Sequence, residues 1–124
     1  MIISGMDVKQ VLTPTNDYRR MELPQPAIKM GEILASVLHI DRFGNVITNV
    51  TSSHLPANID KFDVILDRGR HVFNAPLCGS YAGVEAGKPL LVIGGTGFLE
   101  LSVNRGNASK IYGLRVGDTI ILKY

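Results

Sequence analysis

The sequence predicts an all-β fold: a small closed or partly open barrel of about seven short strands with one or two short helical turns. Three observations lead there. Thirteen glycines punctuate a chain of only 124 residues. The runs between them are short and rich in Val, Ile, Leu and Thr, residues that suit a pleated, half-buried surface. No apolar pattern at helical spacing is long enough to supply the crossover helices of a parallel sheet.

The elements follow in order. Met1 to Val11 is mildly apolar, and Thr13 to Pro26 carries three prolines amid polar residues, as a linker does. Residues 1–30 therefore read as an N-terminal stub and interdomain linker, and 31–124 as a β-barrel domain that follows it. An ordered arm packed on the core is the alternative for the first part. Ile33 to Ile40 reads as a strand in which neither face is cleanly polar, so both faces should be covered. Asn45 to Val50 is a second strand beyond the Phe43-Gly44 turn. Thr51 to His54 supplies hydroxyls for a short helical turn. Phe62 to Leu66 and His71 to Asn74 flank a glycine-containing hairpin at 67–70. Leu90 to Ile93 and Phe98 to Val103 flank a second hairpin, Gly94-Gly95-Thr96-Gly97. Asn107 to Tyr112 forms a helical turn or two, ended by Gly113, and Thr119 to Lys123 is the last strand.

Composition excludes several function classes. The formal net charge is only +2 and the basic residues are scattered, which argues against a nucleic-acid platform held by phosphate contacts. Cys78 is the single cysteine, so neither a disulfide framework nor a cysteine-rich metal site is expected. His39, His54 and His71 lack ligand spacing, so no metal and no other cofactor is expected. There is no run of 18 apolar residues and no signal peptide, which points to a soluble, cytoplasmic protein without membrane association. No catalytic set is visible.

Two dense polar knots remain. In Asp41-Arg42-Phe43-Gly44-Asn45 the carboxylate could hold an ammonium group, the ring could cover a flat ligand, and the Asn45 amide matches the donor and acceptor pair on adenine. A Gly-Asn turn beside a solvated Asp41–Arg42 ion pair explains the same residues structurally. In Asn104-Arg105-Gly106-Asn107-Ala108, two amides and a guanidinium flank a glycine that permits close approach to a ligand. An Asn107 cap on a helix start is the structural alternative. Tyr81 could stack on a flat ring or simply pack at the barrel rim. The glycine hairpin could form a nest of N–H groups for a carboxylate or be only a hairpin.

Taken together, four segments resemble one known family: Ile40 to Asn49, Gly97 to Leu101, Val103 to Ala108, and Gly113 to Asp118. Their order and spacing resemble the C-terminal domain of the S-adenosylmethionine hydroxide adenosyltransferases (S-adenosylmethionine hydrolases), whose halogenating members are the fluorinase and chlorinase. Asp17 to Pro24 looks like that family's interdomain connection. The resemblance implies a two-domain enzyme of which this chain is the second part. It implies a homotrimer with the substrate between the N-terminal domain of one subunit and the C-terminal domain of its neighbour. The ligand would be S-adenosylmethionine or adenosine. By this likeness Asp41 accepts the methionine ammonium, Asn45 and the Ala108 backbone read adenine, and Phe43 and Tyr81 pack on the ring. Asn104, Arg105 and Asn107 fall in the matching loop. A hydrolase is expected over a halogenase, because the fluorinase pattern carries an insertion between the positions of Arg42 and Phe43 that this chain lacks.

The chain departs from the family in two respects. The family's first domain, which positions the attacking water or halide, is absent, so the chain alone is expected to be inactive. The family hairpin reads Asn-Ser-x-Gly, whereas Gly95 stands here in place of the serine that holds the methionine carboxylate. Thr96 or bare backbone would have to substitute. Two other function classes fit a small barrel: binding of single-stranded nucleic acid, and a purely structural role in assembly.

Overall fold

The computed structural model describes residues 25–66 and 71–124. Eight strands lie among them: β1 (Ala27–Lys29), β2 (Glu32–Ile40), β3 (Val46–Thr51), β4 (Lys61–Leu66), β5 (His71–Cys78), β6 (Pro89–Ile93), β7 (Phe98–Val103) and β8 (Thr119–Lys123). One short helix, α1 (Ala108–Tyr112), and single 3-10 turns at Ser52–His54 and Tyr81–Gly83 accompany them. The all-β barrel expected from the sequence is the fold observed. Strands run in the order β2-β3-β7-β6-β5-β4-β8, and β8 pairs back onto β2, so seven strands close the barrel. Closure leaves no free edge along these seven strands.

Two strands turn the corners. The first half of β2 pairs with β8 (Glu32 opposite Lys123, Ser36 opposite Thr119), and its second half pairs with β3. A register shift between Val37 and His39 separates the halves. The first part of β5 pairs with β4 as far as Pro76, and Leu77 and Cys78 then pair with β6. Pro76 marks the changeover, where a residue without an N–H is tolerated. β5 and β6 run parallel, while every other neighbouring pair is antiparallel.

The structure departs from the sequence reading at three places. β1 falls inside the stretch read as linker, antiparallel to β2 with Ala27 opposite Leu34. β5 continues past Asn74, where the reading stopped it. The expectation that both faces of β2 are covered is also corrected. Ile33, Ala35 and Val37 are buried, but Leu34 is 41% exposed and His39 is exposed. The shift after Val37 breaks the strict alternation, so the apolar run does not mean two covered faces. The hairpin expected at 67–70 lies outside the described residues, as does the apolar stretch at 1–11.

The core gathers Ile33, Val46, Val50, Phe62, Val64, Leu91, Leu99, Leu101, Ile120 and Leu122 inside the barrel. β7 is buried at all six positions. Leu99, Leu101 and Val103 belong to the core cluster, so Phe98, Glu100 and Ser102 occupy the opposite face. Burial of this face brings polar side chains indoors, and two near it serve the backbone. Thr48 donates its hydroxyl to the Leu99 carbonyl at 2.8 Å, and Asn49 Oδ1 accepts the Ser36 N–H at 2.9 Å. These two residues of the dense 40–49 segment are thus architectural.

The facing of β2 and β7 can be tested by truncation. Leu101→Ala should lower the unfolding free energy by about 2–5 kcal/mol, the usual cost of a core cavity. Leu34→Ala should cost about 1 kcal/mol or less. Urea unfolding of both variants gives the comparison, and equal losses would contradict the assignment of faces.

Candidate functional site

The turn between β2 and β3 is organised by one carboxylate. Asp41 Oδ1 accepts the N–H groups of Phe43 (2.9 Å) and Asn45 (3.0 Å), while Oδ2 accepts Asn45 Nδ2 at 2.9 Å. Two backbone bonds reinforce it, Asp41 N–H to the Asn45 carbonyl at 3.1 Å and Gly44 N–H to the Asp41 carbonyl at 3.0 Å. An Asp side chain that accepts N–H groups a few residues on is a strong turn former. The Arg42 guanidinium lies over the Phe43 ring, 4.9 Å from its centroid, and Phe43 is 62% exposed. The carboxylate therefore serves its own loop, and Arg42 covers an aromatic face.

The second polar knot meets this turn directly. Asn107 caps α1, its Oδ1 accepting the Lys110 N–H at 2.9 Å, and Gly113 ends the helix in the left-handed conformation. The Ser109 N–H donates to the Gly44 carbonyl at 2.9 Å. Gly44 sits at φ +85°, and a Cβ there would collide with the Asn107 side chain. Only glycine satisfies both conditions. Asp41 to Asn45 and Asn107 to Ser109 thus form one continuous rim. Ala108 has no exposed surface beneath it.

The remaining candidates fall into separate settings. Asn104 Nδ2 donates to the Val84 carbonyl at 2.7 Å, and its backbone bonds to Gly87 and Lys88, so it fastens the connection before β6. Arg105 is exposed with φ +57°. Thr96 is exposed on the 94–97 hairpin, which Gly94 and Phe98 close through a 3.0 Å bond. His54 accepts the Thr51 N–H on Nδ1 and so caps a turn, whereas His39 and His71 are exposed.

One group escaped the sequence reading. Glu100 on β7 is only 5% exposed, and its Oε1 accepts the Tyr81 hydroxyl at 2.7 Å. The available signal was a lone carboxylate within the otherwise uncharged run Phe98 to Val103. Burial pushes the Glu100 carboxyl up and the Asp41 charge adds to the rise, while the Tyr81 hydrogen bond opposes it. The Tyr81 phenol is pushed up to about 12, first by burial, then by its bond to Glu100 and by the charges of Glu100 and Asp41. Glu100 pairs with Ile47, two residues beyond Asn45, which sets the Tyr81–Glu100 bond beside the strand that leaves the rim. Tyr81 itself keeps 44% exposure.

With this geometry in view, residues 35–121 match the SAM hydroxide adenosyltransferase C-terminal domain. The chain belongs to that family. It is 32% identical over 115 residues to the (R)-S-adenosyl-L-methionine hydrolase of Methanocaldococcus jannaschii, covering 88% of this chain and 42% of that protein. It is 38% identical over 109 residues to the (R)-S-adenosyl-L-methionine hydrolase of Thermus thermophilus, covering 88% and 38%. Among solved structures it resembles an uncharacterized conserved protein from Thermotoga maritima, with TM-score 0.74 and 28% identity over 84% of this chain and 40% of that one. A conserved hypothetical protein from Thermus thermophilus gives TM-score 0.58 and 36% identity, covering 82% and 39%. The chain thus spans about two-fifths of the length of the relatives it matches.

A further cavity is found among the described residues. It has a volume of about 720 Å³ and is lined by Ile65, His71, Lys110, Tyr112, Asp118 and neighbouring residues, and none of the candidate ligand-binding residues named from the sequence lines it. Size alone does not make a site; convergent polar atoms do, and those converge at the Asp41 rim.

Gly44→Ala tests the contact between the two loops. Forcing a side chain into a left-handed, occupied position should cost about 1–3 kcal/mol. The Ser109 amide should exchange with solvent faster as its bond to Gly44 is lost, read by NMR. Unchanged exchange at Ser109 would show that the rim does not depend on Gly44.

Proposed function

We propose that this domain is the adenosine-binding half of an enzyme that hydrolyses S-adenosylmethionine to adenosine and methionine. The observation that supports this most is the joining of the 41–45 turn to the start of α1, with Tyr81 nearby. Asn45 is the reader of adenine. Its Nδ2 gives one proton to Asp41, which fixes the amide and leaves its carbonyl oxygen and second N–H for a base edge. The exposed rings of Phe43 and Tyr81 offer faces on which a purine can pack. Ala108, without exposed surface, enters as packing beneath the rim rather than as a direct reader.

The amino-acid end of the ligand falls to Asp41 and the 94–97 hairpin. A carboxylate has about four acceptor sites, and three on Asp41 are taken by its own loop. The remaining one, on Oδ2, suits an ammonium. Thr96 and the hairpin backbone are left to meet the ligand carboxylate, since Gly95 has no hydroxyl to offer.

The chemistry asks for orientation above all. Attack of water on the ribose C5′ forms the C5′–O bond as the C5′–S bond breaks and methionine leaves as a neutral thioether; the positive charge passes to the attacking oxygen and departs as a proton. Rate enhancement then comes from holding water, C5′ and sulfur in line. The domain holds the nucleoside, and the part of the enzyme beyond the matched length supplies the water-positioning groups. Assembly as a homotrimer that joins two such surfaces, and work in the cytoplasm without nucleic acid or membrane, belong to the same proposal. Among the described residues no helix is long and apolar enough to cross a membrane.

In the intact protein, Asn45→Ala should weaken adenosine binding by roughly 1–3 kcal/mol, the cost of an unpaired buried partner, measured by titration calorimetry. The same experiment includes the 124-residue chain alone, which should release no adenosine from S-adenosylmethionine. Unaltered affinity, or turnover by the chain alone, would falsify this reading.

A further inference from the structure

We propose that Glu100 is a positioning residue that sets the Tyr81 ring and the 94–97 hairpin in register, so that one buried carboxylate ties the purine end of the ligand site to its amino-acid end. The inference rests on the adenosine-binding reading above and goes beyond it, since Glu100 touches neither end of the ligand itself.

The geometry is specific. On one oxygen, Oε1, Glu100 receives the Tyr81 hydroxyl at 2.7 Å. Its other oxygen, Oε2, lies where a side chain on residue 94 would have to be, so any larger residue there would displace the carboxylate. Tyr81 belongs to a three-residue 3-10 turn with no side-chain cap, and the residue is 44% exposed. The phenol bond to Glu100 restrains its ring.

The energetics make the residue conspicuous. A carboxylate only 5% exposed is costly to bury. Among the described residues no cation pairs with it, and Asp41 nearby adds repulsion that raises its proton affinity further. Leu or Val at this position would extend the apolar run of β7, which is buried at every residue, at no such cost. A group kept there against stability is explained by what it holds: the Tyr81 ring, and the hairpin whose first glycine it abuts.

The test is a double-mutant cycle in the intact protein, with adenosine as the probe and the dissociation constant from calorimetry. Glu100→Leu, Tyr81→Phe and Gly94→Ala, the last by pushing the carboxylate aside, should each weaken adenosine on the order of tenfold. The Glu100→Leu/Tyr81→Phe double variant should be no weaker than either single one, because both break the same bond. Glu100→Gln, whose amide oxygen still accepts the phenol proton, should restore affinity to within about threefold of the parent. Thermal melts confirm that each variant folds. If Glu100→Leu does not fold, Tyr81→Phe and Gly94→Ala decide the matter, and parental affinity in both overturns the proposal. Multiplying effects in the double variant, or failure of Glu100→Gln to restore binding, also overturn it. Asn45→Ala serves as the reference: if it weakens adenosine while the Glu100 set does not, positioning alone fails. If Asn45→Ala has no effect either, the adenosine-binding reading fails and takes this proposal with it.

Discussion

The carboxylate of Asp41 is the constraint on which the site depends. Three N–H groups from its own loop converge on it, and charge-assisted bonds of this kind are the strong ones. They fix the direction of the Asn45 amide, the exit of the chain into β3, and the position of Gly44. Gly44 in turn docks on α1 through its carbonyl and through its lack of a side chain. Loss of the carboxylate would release the turn, and the contact with Asn107 to Ser109 would go with it. The same bonds that shape the turn also fix the groups proposed to bind the ligand, so a change to one is a change to the other.

The barrel supplies the rigidity behind that loop. The 41–45 turn joins adjacent strands β2 and β3, and β3 lies next to β7. β7 carries Glu100 and leads through a tight turn to α1. Glu100 lies opposite Val92 of β6 and next to the strand that follows the Asp41 turn. A closed sheet brings these segments together although they are more than fifty residues apart in the chain. The Tyr81–Glu100 bond extends the same arrangement to the long connection between the parallel strands β5 and β6.

Much of this was legible in the sequence, and the exceptions have physical causes. Short β-branched runs between glycines gave the strands, because a local pattern of alternation reflects a local backbone geometry. Asn107 as a helix cap and Gly113 as its end were readable for the same reason. β5 was cut short at Asn74 because Pro76 reads as a strand breaker, and only its place opposite Lys61 at a corner makes it harmless. The parallel pairing of β5 with β6 depends on barrel closure, which no local pattern records. Asp41 and Asn45 stood out because polar residues crowd there between apolar runs. Glu100 did not, since one carboxylate in an apolar strand carries no sign of a tyrosine nineteen positions away. Asn104 looked like a ligand group and proves to fasten the 84–88 connection, a role that amide chemistry alone does not separate from binding.

The most direct test is hydrogen–deuterium exchange of the intact protein with and without adenosine, read by mass spectrometry. Slowed exchange in peptides spanning 41–45 and 107–109, with the 81–83 turn protected alongside them, is the result this account predicts. Protection confined instead to the segments around Ile65, Tyr112 and Asp118, which line the large cavity, would contradict it.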